Sequence, residues 1–184
     1  MQGFKYHLVK SLIRVYFRQR GFRACPSPQI STTAGVYCII PPMTDFNFTH
    51  PIEVRYGDLD PQGHLNNAKY LTFFEQARIF YFSRLGLFRK GMSFLDVGTI
   101  LADVHLTFYK PVLFGMDIRV GVRTTRLGNK SFDVEQALID QASGARLASG
   151  QLVLVSYDYH TAHTIPIPPE WREKLSRFDD LKIV

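Results

Sequence analysis

From Phe48 to Asp58 the chain reads FTHPIEVRYGD, with apolar Ile52, Val54 and Tyr56 separated by polar neighbours. This alternation predicts a strand with one buried face. Gly57, Pro61 and Gly63 then predict a loop over residues 57–65. Asn66 or Asn67 can cap a following helix, because a short side-chain acceptor satisfies a free N–H of the first turn. The helix is expected from about Ala68 to Leu85, with Gly86 as its stop. Tyr70, Leu71, Phe73, Phe74, Ala77, Ile79, Phe80, Tyr81 and Phe82 cover most of its circumference, so it must be wrapped by other elements.

The wrapping lies downstream. TILADVHLTFYKPV, DIRVGVRTTRLG, SFDVEQALIDQ and ARLASGQLVLVSYDYH read as four more strands, with no helical period between them. Turns as short as Leu127–Gly128–Asn129 and Ser143–Gly144 imply antiparallel neighbours. PPEWREKLSRF closes the chain as a short helix with proline at its start. The expected architecture is α+β: an antiparallel sheet of about five strands wrapped around one long central helix.

Composition narrows the function. The 184 residues are 46% hydrophobic and 21% charged, enough for one domain with a core. No apolar run is long enough for a membrane span, which speaks against stable membrane insertion. The net charge of +6 comes from residues 1–44, which hold Lys5, Lys10, Arg14, Arg18, Arg20 and Arg23 and no acid. The remainder is charge-balanced and lacks the electrostatic footprint of a nucleic-acid binder. Both cysteines, Cys25 and Cys38, lie in the leading segment. The domain at 45–184 therefore has neither a thiolate nucleophile nor a Cys-rich metal site.

Residues 1–44 form a basic extension. Leu8, Leu12 and Val15 share a helical face opposite Lys10, Arg14 and Arg18. This fits an organelle transit peptide or a helix lying on a membrane surface. A true start at Met43 is slightly favoured, and Lys and Arg interrupt the apolar stretch too often for a secretory signal.

The chemistry concentrates in RYGDLDPQGHLNNAKYLTFFEQAR. Asp58 and Asp60 lie two apart, so an extended chain would point both the same way. Neighbouring carboxylates raise one another's pKa, which would suit one of them to act as a base. The loop ends at a helix N-terminus, whose free N–H groups can stabilise an oxyanion. Taken alone, such residues are ordinary loop formers. His160 and His163, three apart in YHTAH, follow a strand without a third ligand and read as a solvated turn. No nucleophile elbow, phosphate loop or dinucleotide fingerprint is present.

The same stretch resembles the signature of the 4-hydroxybenzoyl-CoA thioesterase-like family of hot-dog-fold proteins: an Asp-x-Asp-x-x-Gly loop, an Asn pair, a Tyr, then Glu-x-Ala-Arg in the helix. The resemblance covers residue 50 to about 160 and implies an acyl-CoA or acyl-carrier-protein thioesterase with a place in lipid metabolism. It implies Asp60 as the catalytic base or nucleophile and the Asn67 backbone N–H as oxyanion donor. His64 would line the catalytic loop. Gly63, Asn66 and Tyr70 would surround the substrate, and Lys130 and Ser131 in GNKSF would hold the CoA moiety. Glu75 is read as structural, paired with Arg78 one turn on.

No metal or separate cofactor is implied, coenzyme A being part of the substrate. The alternative is a hot-dog protein that binds acyl-CoA without turnover. The resemblance also implies a homodimer joined sheet edge to sheet edge, or a dimer of dimers, with each site built from both protomers and Asp60 of one facing Lys130 or Ser131 of the other. The expected location is the cytoplasm, or the mitochondrial matrix or a plastid if the extension is a transit peptide.

Overall fold

The structure, a computed structural model, describes residues 45–88, 91, 93, 95 and 98–181. The expectations for residues 1–44, including Cys25, Cys38 and Met43, lie outside these residues.

Strand β1 (Phe48–Ile52) leads through a single 3-10 turn at Tyr56–Asp58 to helix α1 (Asn67–Arg84). Strands β2 (Thr99–Phe108), β3 (Ile118–Leu127), β4 (Ser131–Asp140) and β5 (Arg146–Asp158) follow, then a two-residue β6 (His163–Thr164) and helix α2 (Pro169–Phe178). The sheet order is β1-β3-β4-β5-β2, with every pairing antiparallel and β6 added against β5. Within the described sheet, β1 and β2 are the outer strands.

The first strand lies earlier than its alternation suggests. Ile52 ends it; Val54 is buried beyond it, and Tyr56 is 83% exposed. The cause is the 3-10 turn, which takes Tyr56 out of the extended register. α1 is wrapped much as its composition demands. Tyr70, Phe73, Phe74, Ala77, Arg78, Tyr81 and Phe82 are buried, whereas Leu71 and Phe80 are exposed. Phe80 instead stacks on His50 of β1 at 4.1 Å.

Polar contacts fix the helix within this apolar wrap. Gln136 of β4 is fully buried and donates to the Phe74 carbonyl at 2.8 Å. Tyr81 shares its hydroxyl with Thr124 Oγ1 at 2.9 Å and donates to Asp179 Oδ2 at 2.5 Å, which ties β3 and the chain after α2 to the helix. Burial pushes the Tyr81 phenol well up, and the neighbouring Asp179 charge adds to this. Outside the sheet, Phe46 lies with the Arg123 and Arg146 guanidinium groups each 5.4 Å from its ring.

Two glycines allow aromatic rings to approach the sheet backbone closely. A Cβ at Gly121 would stand 2.5 Å from the Phe46 ring, and one at Gly150 would stand 2.8 Å from Phe74 and 3.1 Å from Leu106. Gly150→Ala should therefore overpack the helix–sheet interface and lower stability by about 1–3 kcal/mol. Urea denaturation would show it as a lower midpoint; an unchanged midpoint would mean the layers are not in this contact.

Candidate active site

Residues 58–66 form a miniature hairpin in front of α1. Asn66 N–H donates to the Asp58 carbonyl at 2.9 Å, Leu59 bridges Leu65, and Asp60 N–H donates to the His64 carbonyl at 2.7 Å. The tip closes on Asp60, whose carbonyl accepts from Gly63 N–H at 2.9 Å. Its Oδ1 accepts from the N–H groups of Gln62 at 2.8 Å and His64 at 3.1 Å. Gly63 has φ of +80°, the left-handed region that favours glycine. The hairpin is held against the segment after β2 by Leu65 N–H on the Val112 carbonyl at 2.8 Å and by a bridge between His64 and Leu113.

This arrangement overturns the symmetric reading of the two aspartates. The 3-10 turn breaks the extended chain between Arg55 and Leu59, so Asp58 and Asp60 meet different surroundings. Asp58 is 1% exposed. Its Oδ2 accepts from Arg55 Nε at 3.0 Å and Arg55 N–H at 3.1 Å; its Oδ1 accepts from Arg55 Nη2 at 3.1 Å and lies 3.4 Å from Lys69 Nζ. The Arg55 guanidinium is the main cause that holds the Asp58 carboxyl down to about 2, with smaller help from Lys69 and against the effect of burial. Asp58 is thus not raised by its neighbour. Asp60 is half-buried, and among the described residues its Oδ2 has no hydrogen-bond partner.

Helix α1 begins one residue before its expected start. Asn66 is the N-cap, its Oδ1 accepting from Ala68 N–H at 3.0 Å, while its carbonyl accepts from Lys69 N–H at 2.8 Å. Asn67 is the first helical residue, and its N–H has no acceptor among the described residues. Tyr70, buried one turn on, has its phenol pushed up chiefly by burial; the Val112 backbone opposes this and the Asp60 charge adds to it. The Tyr70 ring meets Phe108 of β2 edge-on at 4.8 Å. The corner therefore combines an available carboxylate oxygen, an unused N–H at the positive end of a helix and an apolar wall.

Asp60, Gly63, His64, Asn66, Asn67 and Tyr70 are gathered here. Lys130 and Ser131 are not. The Asp60 hairpin lies by the segment after β2, where Phe108 pairs with Ala148 at the start of β5. Lys130 accepts through its carbonyl from Ser156 N–H near the end of β5. Eight residues of strand separate the two levels, about 26 Å. Lys130 Nζ donates instead to the Thr164 carbonyl at 3.1 Å.

Glu75 is exposed and Arg78 buried, and no ion pair joins them among the described residues; burial lowers the Arg78 pKa. His160 and His163 lie in and just after a turn, where His160 N–H donates to Asp158 Oδ1 at 2.8 Å. The sequence reading missed the ties from Arg55 and Lys69 to Asp58. Eleven residues separate Lys69 from Asp58, and no periodicity spans a loop.

A long central helix wrapped by one antiparallel sheet, with a polar hairpin at the helix N-terminus, defines the hot-dog fold. The chain belongs to the thioesterase-like superfamily, whose sequence profile matches residues 54–175, and it is a thioester hydrolase. A Thermus thermophilus thioesterase solved with coenzyme A and zinc is 31% identical, with a TM-score of 0.67, and the match covers 77% of this chain and 100% of that one. The long-chain acyl-CoA thioesterase FadM of Escherichia coli is 25% identical over 126 residues, covering 68% of this chain and 95% of FadM. The uncharacterized protein YsmA of Bacillus subtilis is 25% identical over 132 residues, covering 72% and 87%.

The Asp58 pairing carries a pH signature. A carboxylate whose folded pKa lies below its ordinary value contributes stability that is complete above about pH 4 and is lost as pH falls toward 2. The wild type should lose stability across that window, and Asp58→Asn should start less stable and lose less over it. Equal slopes in pH-dependent denaturation would contradict the pairing.

Proposed function

We propose that this chain hydrolyses acyl-CoA thioesters, with Asp60 as base or nucleophile and the Asn67 N–H as oxyanion donor. The observation that carries the reading is the corner itself. Asp60 Oδ1 is held by Gln62 and His64, which leaves Oδ2 available, and the Asn67 N–H at the helix start is unused. A thioester carbonyl placed there would be polarised by that N–H and the helix dipole. In one route Asp60 takes a proton from water as the water oxygen bonds to the carbonyl carbon. The C–S bond then breaks, and the proton passes to the leaving thiolate. In the other, Asp60 Oδ2 itself bonds to the carbon, expels the thiolate and forms an anhydride that water opens. Where water opens the anhydride at the Asp60 carboxyl carbon, single turnover in ¹⁸O-water leaves label in Asp60, which the first route never does.

The resemblance to FadM supports CoA as the carrier. The exposed Phe108 of β2, whose ring meets Tyr70 edge-on at 4.8 Å, offers apolar surface for an acyl chain. The assembly we propose is a twofold dimer through the β2 edge. Antiparallel pairing of two β2 copies sets the end of one beside the start of the other. That brings the partner's Lys130 and Ser131 toward Asp60. The arrangement also covers an otherwise open strand edge.

Asp60→Asn should lower kcat by about a hundredfold or more with folding retained, measured on aryl, short-chain and long-chain acyl-CoAs. Undiminished kcat would refute the role of Asp60. Tight acyl-CoA binding without turnover by the wild type would instead identify a carrier. Sedimentation should show the active species as a dimer; an active monomer would refute the shared site.

A further inference from the structure

The polar hairpin has an open end, fastened by a group that the proposed chemistry does not use. Asp58 and Asn66 form the last rung before the two arms part. Beyond that rung one arm returns to β1 through Arg55, and the other becomes the first turn of α1. Asp58 grips both. Its carboxylate takes three bonds from Arg55 on the first arm and the Lys69 ammonium at 3.4 Å from the second, while its carbonyl takes Asn66 N–H at 2.9 Å. All of this occurs on a side chain that is 1% exposed, so the group is closed to substrate and water.

We infer that Arg55, Asp58 and Lys69 act as a positioning clamp that sets the Asn67 N–H against the Asp60 carboxylate. The inference rests on the proposed roles of those two groups. The connection is short on both sides. Asp60 lies two residues past Asp58, and Asn67 lies one residue past Asn66, so each reacting group hangs from one side of the same rung. A shift of α1 along its axis would move the Asn67 N–H but leave Asp60 in place, because Asp60 is held by Gln62 and His64 within the hairpin tip. Lys69 is the side chain that opposes such a shift. It leaves the helix in its first turn and ends on the opposite arm. The pairing holds the Asp58 carboxyl down to about 2 despite its burial, so it stabilises the fold, and the same contacts fix the two arms at one rung. Misplacing a reacting group by about 1 Å can cost a hundredfold in rate.

The test uses the full chain with Lys69→Met and Lys69→Arg. Lys69 is partly exposed and its removal leaves the Arg55 bonds to Asp58, so folding should survive. Lys69→Met should lower kcat by about tenfold to a hundredfold at unchanged KM, and Lys69→Arg should recover most of the loss. Amide exchange at Asn66 should quicken in Lys69→Met. Full kcat in Lys69→Met, a loss carried by KM, or equal losses in the Met and Arg variants would overturn the clamp. Asp60→Asn measured alongside separates the two ideas. If Asp60→Asn is inactive while Lys69→Met is not, only the clamp fails. If Asp60→Asn stays active, the Asp60 assignment fails, and unchanged Asn66 exchange then overturns the clamp independently.

Discussion

An aromatic helix that no water can solvate sets the terms for this molecule. Tyr70, Phe73, Phe74, Tyr81 and Phe82 must all be covered, and one flat layer cannot reach so much of a helix circumference. The sheet solves this by curling, with β1 on one side of α1 and the β5–β2 side on the other. Gly150 and Gln136 show how tight the wrap is. One gives up its side chain so that Phe74 can approach, and the other bonds the helix backbone directly. Burial on this scale seats the helix in the sheet, and the contacts of Asn66 and Lys69 with Asp58 set where its N-terminus lies.

The site depends on that fixed end. A short polar hairpin can aim a carboxylate accurately only if both its arms are anchored. Here one arm ends in β1 and the other in the first turn of α1, with rungs at Asp58–Asn66, Leu59–Leu65 and Asp60–His64. The electrostatics divide cleanly between the two aspartates. Asp58 spends its charge on Arg55 and Lys69. Asp60 keeps one oxygen available, and the N–H at the start of α1 is unused among the described residues, groups suited to a carbonyl that gains negative charge on its oxygen.

Much of this was legible in the sequence because it follows from local rules. The span of α1, a cap at Asn66 or Asn67, the β3–β4 and β4–β5 turns and the proline-started α2 are written in neighbouring residues. The hairpin could be placed from Gly57, Pro61 and Gly63, but its internal pairing could not. That is why Asp58 and Asp60 read as an equivalent pair, and why Tyr56 was counted as a strand residue. Contacts that join distant parts of the chain left no periodic trace. The Lys69–Asp58 tie, the Val112 carbonyl on Leu65 and the hold of Asp179 on Tyr81 depend on tertiary approach alone. The position of Lys130 became visible only from the strand register, which sets it at the far end of β5 from Asp60.

The most direct test of the account is a crystal structure of the protein with a non-hydrolysable acyl-CoA analogue in which a methylene group replaces the thioester sulfur. The account predicts the analogue's carbonyl oxygen within about 3 Å of the Asn67 nitrogen, with Asp60 Oδ2 facing the carbonyl carbon or a water placed to attack it. A carbonyl bound away from the start of α1, with Asp60 pointing elsewhere, would contradict it.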